Sequence, residues 1–259
     1  MKSNKLEIDK LYDAFFLSQT FDSKQLMSAA KNEVDWVILK TKLRSGAEIL
    51  DVGCGTGRHL RAFLDLNLKC TGVDLSKDCI DLAKKNCPEI ASDLFEDDLL
   101  NFAKLSPKKY DLVFVSGATI GYSDDDDINF KYINALLGMV KPAGFIVLDF
   151  LNFGWASTQF KNRTSFWTEN SQHFVLDDRK IEKNFLLSRK VFIDKVSGEI
   201  KNYSDKARCF TADEFLDEKL GLLNDFTKFR LLSMSNGYAE AQFENTRSAL
   251  GVLIVQVLK

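Results

Sequence analysis

The stretch Ile49-Leu50-Asp51-Val52-Gly53-Cys54-Gly55-Thr56-Gly57-Arg58-His59 decides the fold. Residues 48–52 (EILDV) form a short apolar run that reads as a buried strand, and residues 58–66 carry a helical pattern. Three glycines lie between them. Glycine lets the chain turn sharply and lets a ligand approach bare backbone without meeting a Cβ. The helix that follows presents unpaired N–H donors at its start. A glycine turn joining a strand to a helix is where open α/β sheets bind nucleotides.

Two acidic residues extend this pattern. Asp74 closes the next apolar run (residues 69–73), 23 residues after Asp51. A carboxylate there can accept two hydrogen bonds from a ribose diol. Asp98, in Glu96-Asp97-Asp98-Leu99-Leu100, follows a third run near residues 90–95 and can accept from an exocyclic amine of adenine. A dinucleotide fingerprint needs a third glycine, GxGxxG, and Arg58 stands in that place, which argues against a nicotinamide-dependent oxidoreductase. No GxxxxGK[ST] phosphate loop is present. Asp51 would repel a pyrophosphate but could orient an ammonium, directly or through backbone and water. The pattern therefore favours a nucleoside that carries an amino acid.

Outward from this stretch, strands and helices alternate. Helix at 76–86 opens on a Ser76 cap, a strand lies at 110–115 (YDLVFV), a helix at 128–140 ends in Lys141-Pro142-Ala143-Gly144, and a strand follows at 145–150 (FIVLDF). Strands joined by single helices require crossovers, hence a parallel sheet with helices on both faces. The fold class is α/β, a doubly wound Rossmann-like sheet. After Asn152 the pattern changes. Residues 172–209 contain strand-like runs, including 184–194 and 199–203 joined by Ser197-Gly198, which predict an antiparallel insert. Thr211 and Glu214 form a capping box for a helix through about Leu222, and two strands follow near 227–233 and 250–258. The expected organisation is a helical cap (1–45), a nucleoside-binding core (46–150), a β insert or lid (151–210) and a closing segment (211–259).

Composition excludes several classes. Lys+Arg 35 against Asp+Glu 37 gives a net charge of −2, without a basic block fit to neutralise a nucleic-acid backbone. The longest apolar run, residues 249–255, is too short to cross a bilayer, and the polar N-terminus is not a secretion signal. Five cysteines with no CxxC pair and two histidines with no HxxxH pairing point away from disulfides and structural zinc, and toward a reducing cytoplasm. The acidic run Asp124–Asp127 complements the start of a helix better than it makes a metal site, and no metal is expected.

These words resemble the class I S-adenosylmethionine-dependent methyltransferases: residues 49–59, then Gly72-Val73-Asp74-Leu75-Ser76, Asp97-Asp98-Leu99-Leu100, Tyr110-Asp111-Leu112-Val113 and Lys141-Pro142-Ala143-Gly144. The match is specific over residues 45–150 and looser beyond. It departs at Ala143, where the family usually has a second glycine. The resemblance implies a seven-stranded sheet with the last strand antiparallel. It also implies S-adenosylmethionine as cofactor and S-adenosylhomocysteine as product. By the same resemblance Asp51, Gly53, Cys54, Gly55, Gly57, Asp74, Leu75, Asp98, Leu99, Ser116 and Gly117 hold the cofactor.

The implied activity is in-line transfer of a methyl group to an N or O nucleophile of a small molecule, by a cytoplasmic monomer or homodimer. The alternatives are a noncatalytic cofactor-binding subunit and a methyltransferase acting on RNA or protein. No catalytic base is required by the motif. Tyr122, after the fourth strand, either faces the acceptor or packs with its hydroxyl satisfied. His173 is either a base or an exposed strand histidine. Tyr12, Tyr122, Asn152 and Arg208 are the candidate acceptor-side residues, with Arg208 either binding an acidic acceptor or pairing with an acid. His59 reads as a packing or capping residue. The aromatic group Phe150, Phe153, Trp155, Phe160, Phe166 and Trp167 reads as the core of the insert, with an apolar acceptor pocket as the other reading.

Overall fold

The computed structural model describes residues 12–13, 15–17, 24–123, 125–168, 170–216 and 228–258. Helix α1 (Lys24–Thr41) leads into β1 (Glu48–Val52), α2 (Arg58–Asp65), β2 (Lys69–Asp74), α3 (Lys77–Asn86), β3 (Leu94–Glu96), α4 (Leu99–Leu105), β4 (Tyr110–Val115), α5 (Asp126–Gly138) and β5 (Val140–Leu151). Then come α6 (Phe153–Gln159), the strands β6 (Arg163–Trp167), β7 (His173–Glu182), β8 (Phe185–Asp194) and β9 (Ile200–Arg208), short helix α7 (Ala212–Leu216), β10 (Phe229–Asn236) and β11 (Leu250–Val257).

Seven strands form one sheet in the order β10-β11-β5-β4-β1-β2-β3. Strands β1 to β5 pair in parallel, and β11 runs antiparallel to both of its neighbours. The alternation along β4 shows why its run from Leu112 to Val115 is wholly apolar. Val113 and Val115 join Leu50 and Val52 in a core closed by Phe102 of α4 and Ile133 of α5. Leu112 and Phe114 join Ile49 in a second core closed by Val37 of α1 and Phe63 of α2. A strand segment covered on both faces favours apolar residues at successive positions. Chain order reverses between β1 and β4, and in open α/β sheets the crevice at such a point, beyond the carboxyl ends of the strands, is where ligands bind.

Several expectations shift. The third strand is shorter and later than residues 90–95: a 3-10 turn occupies Pro88–Asp93 and buries Ile90, and β3 covers only Leu94–Glu96. Pro88 favours the first turn of a helix because it has no N–H to donate. Helix α5 starts two residues early because the Asp125 side chain accepts from the Asp127 N–H and caps it. Lys141-Pro142-Ala143-Gly144 lies inside β5 as an irregularity, since Tyr110 pairs with Val140 and Leu112 with Phe145. Ala143 there has φ 65°, the left-handed region that glycine occupies without cost. The capping box is present, with the Thr211 N–H donating to Glu214 Oε2 at 2.7 Å. The expected helix beyond Leu216, the beginning of the strand expected at 227, and Asp124 lie outside the described residues.

The insert is a separate antiparallel sheet, β6-β7-β8-β9. At the β8–β9 turn, Asp194 Oδ1 accepts from the backbone N–H groups of Val196 and Ser197, and Gly198 takes φ 72°. Its core is not the anticipated aromatic group. Phe166 and Trp167 are 45% and 50% exposed because β6 is an edge strand, and Phe150 packs into the main core. Val175, Phe192 and Tyr203 form the insert core instead, with Phe16 from the N-terminal segment. That segment bridges the two sheets. Tyr203 Oη donates to the Asp13 carboxylate at 3.0 Å, and Tyr12 Oη lies 2.7 Å from Tyr122 Oη. Among the described residues no helix is long and apolar enough to cross a membrane.

Candidate active site

The site grows from the glycine turn. Gly53, Gly55 and Gly57 have φ of 69°, 54° and 84°, so each adopts a backbone conformation that a side chain would strain. Gly57 caps α2. A Cβ on Gly55 would project into open space, so the main chain itself is the surface a ligand would meet. Asp74 fastens the turn to β2. Its Oδ2 accepts from the Gly55 N–H at 2.8 Å and its Oδ1 accepts from the Ser76 N–H at 2.9 Å. Each carboxylate oxygen can accept more than one hydrogen bond, so the same group remains able to take a ligand hydroxyl.

A cavity of about 190 Å³ opens along the carboxyl edge of β1, β2 and β4. Gly53, Cys54, Gly55, Asp74, Leu75, Asp98, Leu99, Ser116, Gly117, Tyr12 and Tyr122 all line it. Asp51 and Gly57 do not: Gly57 sits in the cap, and Asp51 is wholly buried in β1 directly before the turn. Neither Asp51 oxygen has a hydrogen-bond partner. Burial pushes its carboxyl up to about 8, partly opposed by Arg58 and reinforced by Asp74. Asp98 does two jobs at the cavity wall: Oδ1 caps α4 through the Leu100 N–H at 2.9 Å, and Oδ2 accepts from the Tyr132 hydroxyl.

The turn after β4 is held from behind. Gly117 and Ala118 have φ of 74° and 55°, and their N–H groups donate to Asp149 at 2.8 and 2.6 Å. Tyr238 Oη donates to the same carboxylate at 3.0 Å. Burial raises Asp149 to about 6 against the pull of these donors. Beyond this turn, burial raises Tyr12 well above the usual phenol range and Tyr122 to about 12, with Asp205 adding to both. Both phenols therefore stay protonated at neutral pH.

The other candidates lie elsewhere. Asn152 is fully buried; its Nδ2 donates to the Asn245 and Ser248 carbonyls, and its Oδ1 accepts from the Gly154 N–H to cap α6. Arg208, 3% exposed, pairs with Asp126 and Glu214 at 2.5 Å, the second of its two readings. Its backbone N–H donates to the Gly121 carbonyl, so it steadies the segment leading to Tyr122. His173 is buried rather than exposed, edge-on to Phe15 at 5.1 Å and 3.4 Å from Asp194.

Four contributors escaped the sequence reading. Asp149 sits inside an apolar strand with no motif around it. Tyr132 and Asn129 come from α5, where only the helical register places them at the cavity. Glu33 comes from α1 and reaches His59, whose Nε2 lies 2.5 Å from Glu33 Oε2.

Comparison with known proteins bears on this geometry. The methyltransferase domain family matches residues 49–144. The dTDP-3-amino-3,4,6-trideoxy-alpha-D-glucopyranose N,N-dimethyltransferase of Streptomyces venezuelae is 25% identical over 171 residues, 64% of this chain and 68% of that protein. The ubiquinone biosynthesis O-methyltransferase of Vibrio atlanticus is 26% identical over 129 residues, 49% of this chain and 53% of that protein. An S-adenosylmethionine-dependent methyltransferase from Clostridium acetobutylicum superposes with a TM-score of 0.74 at 17% identity, covering 94% of this chain and 97% of the other. Streptomyces venezuelae DesVI gives 0.67 at 21%, covering 96% and 98%. The solved structures establish the fold. The domain match over residues 49–144, taken with this fold, supports a class I S-adenosylmethionine-dependent methyltransferase.

S-adenosylmethionine is the cofactor of this class, and the cavity fits it. Bare backbone floors it at Gly55 and Gly117, where a Cβ would meet nothing. Carboxylates stand at the ends of β2 and β3, and a buried carboxylate without a partner lies under the turn. A ligand with a hydroxylated sugar at one end and a cationic tail at the other matches that donor set.

Proposed function

We propose that this protein transfers the methyl group of S-adenosylmethionine to an N or O nucleophile of a small molecule by in-line displacement. The observation that carries this reading is Asp74, brought to the cavity edge by β2 and tied to the Gly55 N–H. In this reading Asp74 accepts from the ribose and Asp98 faces the adenine, with Leu75 and Leu99 as apolar walls. Gly53, Cys54, Gly55, Ser116 and Gly117 offer the surface to the amino-acid tail, and Asp51 attracts its ammonium from below.

The bound cofactor supplies a methyl group already on a good leaving group, so the chain's part is positioning and exclusion of water. Tyr12 and Tyr122 form a hydroxyl pair over the cavity. As neutral phenols they hydrogen-bond the acceptor rather than deprotonate it, which suits a nucleophile with its own lone pair, such as an amine. The insert, reached through Asp13 and Tyr203, forms the acceptor wall. Its strands carry polar pairs, and Asp205, 3.9 Å from Lys190, lies near enough for its charge to bear on Tyr12 and Tyr122. Such a wall suits a polar acceptor. The amino-sugar and quinone-precursor methyltransferases among the relatives support a small-molecule acceptor. The near-zero net charge supports no nucleic-acid role, and five free cysteines support action in the cytoplasm, as a monomer or homodimer.

Titration calorimetry with S-adenosylmethionine and S-adenosylhomocysteine should show saturable binding of both. A metabolite extract incubated with deuteriomethyl-labelled cofactor should then yield a labelled small molecule by mass spectrometry. Binding of neither ligand refutes the reading; label entering only RNA or protein replaces the acceptor class.

A further inference from the structure

His59 connects two elements that the cofactor reading leaves separate. Its ring is 3% exposed, held edge-on to Phe114 at 5.0 Å, and it lines the cavity. Nε2 lies 2.5 Å from Glu33 Oε2, on α1, and Nδ1 lies 3.1 Å from Ser116 Oγ, at the end of β4. An ionised carboxylate can only accept, so Nε2 carries the proton and Nδ1 is left as an acceptor. The Ser116 hydroxyl must then donate to Nδ1, which turns its lone pairs outward. The protonation states agree. Burial pushes His59 down to about 4, so the ring is neutral. Burial pushes Glu33 up, but its hydrogen bond to His59 and the Arg58 charge hold it below the usual range.

The place of Ser116 indicates what its oxygen meets. Asp74 and Asp98 set the sugar and base over β2 and β3, and the sheet continues from β2 through β1 to β4. A tail attached to that nucleoside therefore runs over β1 toward Ser116. The Ser116 carbonyl accepts from Thr119 Oγ1 at 2.7 Å, and the hydroxyl oxygen adds a side-chain acceptor at the same strand end. Asp51 on neighbouring β1 has no hydrogen-bond partner, so a cation at that end of the cavity would favour its ionised form.

We propose that Glu33, His59 and Ser116 form a positioning relay that presents the Ser116 hydroxyl as a hydrogen-bond acceptor to the ammonium of the cofactor's amino-acid tail. The proposal rests on the cofactor reading of the cavity and deepens it. It makes the choice of tautomer, set by a residue on α1, a determinant of tail binding.

The test compares two probes. S-adenosylhomocysteine has the amino-acid tail; 5′-methylthioadenosine shares the nucleoside and thioether but lacks it. By calorimetry, Ser116→Ala should weaken S-adenosylhomocysteine about tenfold and 5′-methylthioadenosine less than about twofold, as expected for one hydrogen bond to a charged group. Ser116→Thr should restore the affinity. His59→Phe keeps a flat ring but removes the acceptor, and should weaken only the tailed ligand, by about threefold. In the wild-type protein, 15N spectra of the two histidines should show His59 protonated at Nε2 and bare at Nδ1. Equal losses for both probes, no loss for either, or a proton on Nδ1 would overturn the relay while leaving the cofactor reading intact. Wild-type protein binding neither probe would remove both.

Discussion

The two sheets of this protein obey opposite rules. In the seven-stranded sheet, both faces of β1 and β4 are covered by helices, and their buried positions are apolar apart from Asp51. In the four-stranded insert, one face packs against the N-terminal segment, and the edge strand leaves Phe166 and Trp167 half in water. The first sheet's carboxyl edge carries the glycine turn that, in the proposed reading, floors the cofactor site. In the proposed reading the second sheet supplies the acceptor side, with polar residues tied to one another.

That contrast can be broken by substitution. The largest effect should come from Asp74→Ala, which removes the ribose acceptor and leaves the Gly55 and Ser76 N–H groups without their partner. S-adenosylhomocysteine affinity should fall by about 100-fold or more in calorimetry, since hydrogen bonds to charged groups contribute about 1.5–3 kcal/mol each. A loss under fivefold would mean that the sugar is held elsewhere.

Asp51 predicts a pH effect in the ligand-free protein. Its folded pKa, raised to about 8, exceeds its ordinary value of 3.8, so the folded state holds the proton more tightly than the unfolded one. Its contribution to stability is then greatest below pH 4 and is lost as pH rises through 8. Urea denaturation of Asp51→Asn should remove this slope and leave the variant more stable than wild type at pH 8, by a few kcal/mol. S-adenosylhomocysteine should favour ionised Asp51, so binding at pH 7 should release protons, measurable from the buffer dependence of the calorimetric heat.

A smaller effect belongs to the acceptor side. Tyr122→Phe should leave S-adenosylhomocysteine affinity within about threefold and lower kcat/KM for the acceptor by about tenfold, the loss of one hydrogen bond. If cofactor affinity falls instead, the tyrosine pair belongs to the first sheet's task rather than the second's. The smallest is Ala143→Gly. Relieving φ 65° in β5 should raise stability by about 1 kcal/mol at most, with cofactor affinity unchanged.

Legibility in the sequence follows the same division. The strand at 48–52, the glycine turn and Asp74 could be read because each is local: period, turn chemistry and spacing all lie within some 25 residues. Strand β3 was misplaced because Ile90 and Leu94 are apolar for different reasons, one in a 3-10 turn and one in a strand. Arg208 and Asn152 were ambiguous because a buried polar residue looks the same in sequence whether it meets a ligand or another part of the chain. The structure commits one to Asp126 and Glu214 and the other to the Asn245 and Ser248 carbonyls. Phe166 and Trp167 were read as core because aromatic content does not reveal which strand of a sheet is its edge.

The amino-acid sequence by itself determined the α/β alternation, the position of the glycine turn and the acids that follow it, since short-range periodicity and backbone conformation encode these directly. Tertiary structure alone decided that Asp149 braces the turn after β4, that Tyr12 meets Tyr122, and that Glu33 reaches Ser116 through His59. Those pairs are separated by 26 to 110 positions. Contact at such separations is set by how layers pack, and a local pattern holds no record of it.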